Sequence, residues 1–221
     1  MTQDIGRPDG APAFPRHPVR GRFNAAFFWV LDAYINATLR RHKRRVLADL
    51  PETVVEIGPG VGANLRYIDR GAAVIAIEPN RYMHPQLIAR ADRLGVHLEL
   101  LESSAEQTGL PDNSADAVIS SLVLCSVGDP ATALAEIRRI LRPGGTFRFL
   151  EHVAAADGTP TRIVQRILRR PWGWVFEGCS CERNLESLIR AAGFSEVDIE
   201  RYRIHSPFLP FNTHIAGVVQ A

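Results

Sequence analysis

The sequence predicts an α/β fold: a seven-stranded, mostly parallel sheet with helices on both faces. Short apolar runs rich in β-branched residues alternate along the chain with segments of helical periodicity, as in parallel strands joined by helical crossovers. The length of 221 residues and the hydrophobic content of 46% suit one such domain with a full core. The predicted strands span residues 53–57, 73–77, 96–101, 117–121, 146–152, 197–204 and 215–219.

The chain divides into a flexible N-terminal arm (1–20), a helical cap (21–50) and an α/β domain (51–221). The arm is predicted from four prolines among glycines and arginines. In the cap, helical periodicity predicts one amphipathic helix or two in succession. The arm's prolines are Pro8, Pro12, Pro15 and Pro18.

An aromatic stripe marks the cap. Phe23, Phe27, Leu31 and Tyr34 recur at helical spacing, which indicates either packing against the domain edge or a lid over a substrate pocket. The basic cluster 40–45 that follows is expected to be a solvated helix face or, behind the aromatic stripe, a contact with an anionic membrane surface.

The first strand leads into a glycine-rich turn. Glu56 is followed by Gly58, Gly60 and Gly62, and residues 63–68 have a helical pattern. Glycines let the backbone pass close to a ligand, and the N-terminus of a helix offers free N–H groups. The sequence therefore predicts a binding turn between a buried strand and a helix.

The second strand ends in Glu78, sixteen positions after Gly62. A carboxylate at the tip of a neighbouring strand can accept hydrogen bonds from both hydroxyls of a ribose. The acid inside the turn, Glu56, would repel a pyrophosphate but suits the cationic amine of a methionine-like tail. We therefore expect S-adenosylmethionine, rather than NAD, as the cofactor.

The turn resembles motif I of the class I methyltransferases, and the resemblance extends through residues 104–106, 110–116 and 141–145. It implies a Rossmann-like fold and an adenine contact near Ser104, where many members have Asp. The hydroxyl of Ser104 can still accept a hydrogen bond from the adenine amine. The expected cofactor-binding residues are Glu56, Gly58, Pro59, Gly60, Gly62, Asn64, Glu78, Pro79, Asn80, Ser104, Ala105, Glu106, Ser121 and Leu122.

Strands four and five end in candidate substrate-site residues. His152 closes strand five, where open α/β sheets place their ligands, so it is either a catalytic base or a hydrogen-bonded histidine in the wall. Cys125 follows strand four and is interpreted as a small buried residue of the pocket rather than a catalytic group. We expect the insertion 154–181 to be a glycine-punctuated loop that lends an apolar wall to the pocket. The predicted pocket residues are Phe27, Cys125, Trp172 and Phe176.

Three further stretches, 122–127, 151–154 and 174–179, resemble the methyltransferase-like 7 family of thiol S-methyltransferases. The resemblance implies methyl transfer to a small, rather apolar acceptor, with a thiol as the first choice. Members of that family sit on membranes through an apolar N-terminal segment, for which this chain has only the short aromatic helix. The alternatives are O- or N-methylation of a natural product, quinone or phospholipid, and a non-catalytic module that binds the cofactor or serves assembly.

Composition limits the other classes of partner. The net charge of +2 argues against nucleic acid as a partner, and the three cysteines indicate no disulfide framework. We therefore expect a cytoplasmic protein, as a monomer or a homodimer. Cys179 and Cys181 could form half of a metal site, but no second Cys or His pair follows at suitable spacing, so no metal is expected.

Overall fold

The computed structural model describes residues 17–221. Their strands are β1 (Thr53–Ile57), β2 (Ala73–Ile77), β3 (His97–Leu101), β4 (Ala115–Ser121), β5 (Leu141–His152), β6 (Ser195–Arg203) and β7 (Thr213–Gln220). Their α-helices are α1 (Pro18–Val46), α2 (His84–Leu94), α3 (Pro130–Ile140), α4 (Pro160–Val175) and α5 (Leu185–Ala191). Two 3₁₀ turns, Leu65–Tyr67 and Leu209–Phe211, complete the regular elements of these residues.

The strands form one sheet in the order β3-β2-β1-β4-β5-β7-β6. Strands β1 to β5 pair in parallel, whereas β7 runs antiparallel to both β5 and β6. The predicted fold class is confirmed. The strand order reverses direction between β1 and β4, and open α/β sheets bind ligands outside the carboxyl ends of the strands at such a point.

The sheet separates two hydrophobic cores. Val55 and Val118 pack into the core that contains residues of α3 and α5. Their neighbours Val54 and Ile119 pack into the core that contains residues of α1 and α2. Because successive side chains of a strand point to opposite faces, helices cover both faces of the sheet, as the continuous apolar runs predict.

Helix α1 is a single helix that begins within the predicted arm. Pro18 occupies the start of the helix, where its missing N–H costs nothing, and the side chain of His17 accepts a hydrogen bond from the Arg20 N–H. Residues 18–20 are therefore helical rather than a flexible arm. The predicted flexibility of residues 1–16, with Pro8, Pro12 and Pro15, lies outside the described residues.

The basic cluster 40–45 is not a uniformly solvated face. Lys43 is buried, His42 stacks on Tyr202, and Arg45 pairs with Glu200 at 3.0 Å. The long helix turns some members of the cluster toward the domain, because a 3.6-residue period places neighbours on different faces. A membrane contact by the remaining members stays a prediction; within residues 17–221, no helix combines the length and the apolar character needed to cross a bilayer.

The predicted helix at residues 63–68 is wrong: the chain makes a 3₁₀ turn there. Hydrogen bonds join Leu65 N–H to the Gly62 carbonyl and Tyr67 N–H to the Asn64 carbonyl, three residues back in each case. After a further turn, β2 begins at Ala73. The helix N-terminus expected here is therefore not formed, and the N–H groups of the three turn glycines already bond within the protein, to the Ile77 and Pro59 carbonyls and to the Glu78 carboxylate.

The insertion 154–181 is also mostly helical rather than a loop. Thr159 caps α4 by accepting a hydrogen bond from the Arg162 N–H, and Pro160 opens the helix. Helix α4 continues through Pro171, which brings Trp172 and Phe176, four residues apart, to one side with ring centroids 4.5 Å apart. The aromatic wall is thus carried on the end of a helix.

Candidate active site

A cavity of about 810 Å³ opens at the carboxyl ends of the central strands. Residues at or just after the carboxyl ends of β1 to β5 line it, together with side chains of α1 and the end of α4. Every predicted cofactor-binding residue lines the cavity except Glu56 and Gly62. The four predicted pocket residues and His152 line it as well.

The glycine turn brings bare backbone to the cavity. Gly58 has a φ of +60°, and a Cβ there would lie 2.5 Å from a methyl carbon of Val123. Gly62 has a φ of +80° and its added Cβ would meet Leu65 at 3.0 Å, so this glycine shapes the turn from behind the wall. Only glycine accommodates both the conformation and the close packing at Gly58.

Glu78 is held rigidly by the turn itself. Its two carboxylate oxygens accept hydrogen bonds from the Gly60 N–H at 2.9 Å and the Asn80 N–H at 2.8 Å. Burial raises the pKa of Glu78 to about 7, although both hydrogen bonds oppose the rise. The carboxyl group is therefore fixed in position at the cavity wall with capacity for further donors.

A buried chain of polar groups lies next to the turn. Lys43 donates to the Asn64 side-chain oxygen at 2.7 Å, and the Asn64 amide donates to Glu56 at 2.8 Å. Burial lowers the pKa of Lys43 to about 8 and raises that of Glu56 to about 7. Lys43 and Asn64 line the cavity, and Glu56 supports them from behind.

Sequence reasoning missed Lys43, although a signal was present. Ile35, Leu39 and Val46 pack in the core at intervals of four and seven residues, and Lys43 falls between the last two on the same stripe of α1. A lysine in the apolar stripe of an amphipathic helix indicates a buried partner, which Asn64 provides.

The segment after β3 forms another part of the cavity wall where the cofactor is expected. Ser104 and Ala105 line the cavity, and Glu106 accepts hydrogen bonds from the N–H groups of Gly128 and Asp129. Glu106 therefore fixes the loop after β4 rather than standing free.

Two buried oxygens in this region have no hydrogen-bond partner within residues 17–221: Oε2 of Glu56 and Oγ of Ser104. Unpaired buried polar atoms are costly, and a ligand that supplies the partners removes the cost. Ser104 lines the cavity, so the base of a nucleoside can pair with its hydroxyl, whereas Glu56 lies behind Lys43 and Asn64 and can act on a cationic amine through its charge. The site thus suits S-adenosylmethionine.

Aromatic rings form the far end of the cavity. Phe27 of α1 contacts Phe176 with centroids 5.1 Å apart in an edge arrangement, and it lies 6.2 Å from Phe208. Trp172 packs on Phe176. Helix α1 therefore contributes directly to the pocket, as the lid interpretation requires, while Phe208 of the segment before β7 was not anticipated.

Cys125, His152 and Cys179 meet in the wall between these two ends. The Sγ atoms of the cysteines lie 3.6 Å apart, and Cys179 Sγ lies 3.7 Å from His152 Nε2. Trp172 donates its indole N–H to Cys179 Sγ at 3.3 Å. All three members of the cluster are buried. Cys179 was not among the predicted pocket residues, although the three stretches that resemble the thiol S-methyltransferases, 122–127, 151–154 and 174–179, each contain one member of the cluster.

The electrostatics of this cluster favour a thiolate at Cys179. Hydrogen bonding with Cys125 lowers the pKa of Cys179 well below its usual range, against the effect of burial and with help from His152. Burial alone would lower the pKa of His152, but the Cys179 thiolate and Glu151 raise it. The cluster therefore shifts the two pKa values in opposite directions, down for the Cys179 thiol and up for the His152 imidazole.

Known proteins that are similar to this chain in sequence are methyltransferases. Residues 55–149 match the methyltransferase domain family. Thiol S-methyltransferase TMT1B of Homo sapiens is 33% identical over 74% of this chain and 68% of its own length, and TMT1B of Mus musculus is 34% identical over 90% and 86%.

Among solved structures, a SAM-dependent methyltransferase from Thermotoga maritima superposes with a TM-score of 0.63 at 20% identity, over 91% of this chain and 99% of that one. The structural likeness shows the fold, and the sequence likeness shows the family. The chain is an S-adenosylmethionine-dependent methyltransferase of class I, and it belongs to the family of the thiol S-methyltransferases TMT1A and TMT1B.

Proposed function

We propose that this protein transfers the methyl group of S-adenosylmethionine to the sulfur of a small, apolar thiol. The observation that carries the proposal is the shape of one continuous cavity, polar at the glycine turn and aromatic at Phe27, Trp172 and Phe176. An aromatic end selects an apolar acceptor, because ring surfaces offer contact area but few hydrogen bonds. The relatives named as thiol S-methyltransferases support sulfur as the atom that is methylated.

The cofactor side assigns one role to each polar group. Glu78 would accept hydrogen bonds from the two ribose hydroxyls. Ser104 would accept from the adenine amine, and Glu56 would balance the charge of the amine in the methionine tail. Lys43, which lines the cavity, would offer its ammonium to the carboxylate of the same tail.

Bound S-adenosylmethionine supplies a methyl group on a cationic sulfur, a good leaving group for in-line displacement. The protein then has to align the acceptor and exclude water. The aromatic end does both, since it is apolar and closed on one side by α1. A thiol with a pKa of about 8.5 is already partly ionised near neutral pH, so the demand on a base is modest. His152, which the sequence leaves as either a catalytic base or a histidine of the wall, would accept the remaining proton.

A screen of acceptors tests the proposal. Purified protein is incubated with S-adenosylmethionine and matched thiols, phenols and amines of similar size, and release of S-adenosylhomocysteine is followed. We expect turnover with apolar thiols and little with their phenol and amine counterparts. Faster turnover of the oxygen or nitrogen acceptors would refute sulfur as the target.

Two tryptophans provide a matched pair of variants for the same screen. Trp172→Ala removes a ring from the pocket and should raise the Michaelis constant for the thiol about tenfold or more, in line with the loss of one buried aromatic contact. Trp174→Ala is the control, because that ring is 63% exposed. Equal effects of the two changes would show that the aromatic end does not hold the acceptor.

A further inference from the structure

We infer that Cys125, His152 and Cys179 form a zinc site, whose fourth coordination position takes the acceptor thiol. The inference rests on the proposed thiol methylation for the occupant of that position. The three-residue site itself rests only on the geometry of the cluster.

The fold brings the three ligands together from distant parts of the chain. Cys125 follows β4, His152 ends β5, and Cys179 follows α4, 27 positions after His152. One ligand atom from each residue lies within 4.8 Å of the others. The expectation of no metal site was based on the spacing of Cys and His residues along the chain around Cys179 and Cys181. Spacing along the chain cannot reveal ligands that only the fold brings together.

The distances suit tetrahedral zinc. Bonds of about 2.3 Å to sulfur and 2.0–2.1 Å to nitrogen at tetrahedral angles place two sulfurs about 3.8 Å apart, and a sulfur and a nitrogen about 3.6 Å apart. The observed separations are 3.6 Å for the two Sγ atoms and 3.7 Å for Cys179 Sγ and His152 Nε2. The third pair, Cys125 Sγ and the ligand nitrogen of His152, lies within 4.8 Å, so binding of the ion would fix this separation at about 3.6 Å.

The donor set also suits zinc in charge and in openness. Two thiolates and a neutral imidazole balance the charge of Zn²⁺, which makes the buried site neutral overall. A set of two Cys and one His leaves one position open, as catalytic zinc sites require. All three residues line the cavity, so that position is accessible to an acceptor.

The surroundings hold the ligands in place. Trp172 donates its indole N–H to Cys179 Sγ. The Ser180 N–H donates to the Cys125 carbonyl at 2.7 Å, which ties together the two segments that carry the cysteines. Arg183 donates to the Leu124 carbonyl beside Cys125. Such outer partners orient metal ligands and tune their basicity.

The reaction at such a site balances without an added oxidant or reductant. Binding of the ion releases the protons of the two cysteine thiols to solvent. The acceptor thiol then takes the fourth position and releases its proton to solvent, since zinc lowers the pKa of a bound group. The acceptor sulfur forms a bond to the methyl carbon as the bond from that carbon to the cofactor sulfur breaks. The products are a neutral thioether, which binds zinc weakly and leaves, and S-adenosylhomocysteine. His152 would serve as a ligand in place of the predicted proton acceptor.

Cobalt substitution tests the site without reference to activity. The full-length protein is stripped of metal with a chelator, kept reduced and titrated with Co²⁺ and then with Zn²⁺. We expect one equivalent of Co²⁺ to bind with intense thiolate-to-cobalt charge-transfer absorption, and Zn²⁺ to abolish this absorption by displacement. No binding, or binding without the charge-transfer absorption, would overturn the inference.

The third cysteine is a matched control. Cys179→Ser should weaken metal binding about 100-fold or more, since loss of even an outer-shell partner costs 10- to 100-fold. Cys181→Ser should leave affinity and spectrum unchanged, because Cys181 is not a member of the cluster and donates its thiol to the Gln165 carbonyl. Calorimetry with S-adenosylmethionine verifies that each variant is folded. If Cys179→Ser fails to fold, the wild-type and Cys181→Ser spectra still decide between a site and none.

Activity separates the inference from the proposed function. Removal of metal should lower the rate of thiol methylation at least tenfold, and one equivalent of Zn²⁺ should restore it. Full activity of metal-free protein, or a disulfide between Cys125 and Cys179 in place of metal binding, would overturn the zinc site and leave thiol methylation standing. A Cys-ligated cobalt spectrum in a protein that methylates no thiol would refute the proposed function and leave the site standing.

Discussion

Replacing Glu78 by glutamine separates the role of this residue in cofactor binding from its cost to the fold. The change keeps the size of the side chain and removes its charge. A charge-assisted hydrogen bond contributes about 1.5–3 kcal/mol, and the ribose offers two donors of which glutamine can serve one well. We expect Glu78→Gln to weaken S-adenosylmethionine binding by about 2–3 kcal/mol, or about 30- to 150-fold in Kd, measured by calorimetry.

The stability of the cofactor-free protein should respond with a characteristic pH dependence. Burial raises the pKa of Glu78 from 4.5 to about 7, so the folded state binds the proton more tightly than the unfolded chain. Stability from this group is therefore present below pH 4.5 and is lost as pH rises to about 7. The loss is about 3 kcal/mol, from a shift of 2.5 units at about 1.4 kcal/mol per unit.

Glutamine has no such titration, so the variant should gain about 3 kcal/mol relative to wild type between about pH 4 and pH 8. Against this gain, one of the two N–H groups held by Glu78, Gly60 or Asn80, loses its acceptor at a cost of about 1–3 kcal/mol. Urea denaturation across the pH range measures the difference directly. Parallel stability curves would refute the raised pKa, and an unchanged Kd would refute the ribose role. Glu52→Gln, an exposed carboxylate before β1, is the control.

Three further changes test other parts of the site. Lys43→Met leaves the Asn64 oxygen unpaired and should cost about 1–3 kcal/mol of stability, measured by denaturation; an unchanged stability would mean that the buried hydrogen bond contributes nothing. Phe27→Ala removes a ring that contacts Phe176 and should raise the Michaelis constant for the acceptor while the Kd of S-adenosylmethionine changes less than about threefold; loss of cofactor binding would instead assign α1 to the cofactor side. His152→Ala should lower the maximal rate and leave cofactor affinity unchanged. A rate deficit that is equal at about pH 6.5 and pH 9 would contradict proton transfer by His152 and agree with a ligand role.

The sequence alone determined the central features of the fold. Buried parallel strands are continuous apolar runs in the sequence, so β1, β2 and β4 can be predicted from these runs alone. The glycine turn and the carboxylate of Glu78 are local signals. The backbone conformation of a tight turn and the position where a strand ends both depend mainly on the residues of that same stretch. These signals predicted most of the cavity wall on the cofactor side.

Local signals failed in two segments. Residues 63–68 have a helical pattern, yet the chain makes a 3₁₀ turn there before β2 begins at Ala73. In the insertion, glycines suggested a loop, whereas a helix capped by Thr159 spans most of it and carries the aromatic end. Propensity is a weak prior, and tertiary packing overrides it in both segments.

The chemistry at the acceptor end was decided by tertiary structure. Cys125, His152 and Cys179 lie in the three separate stretches that resemble the thiol S-methyltransferases, but nothing in those stretches shows that the three side chains meet. They meet because a parallel sheet collects the carboxyl ends of β4 and β5 at one edge and α4 returns the chain to the same place. In the same way, Lys43 reaches Asn64 only because α1 packs across the sheet. Periodicity along a chain records which face a residue presents, but the partner that meets this face is set by the packing of elements distant in sequence.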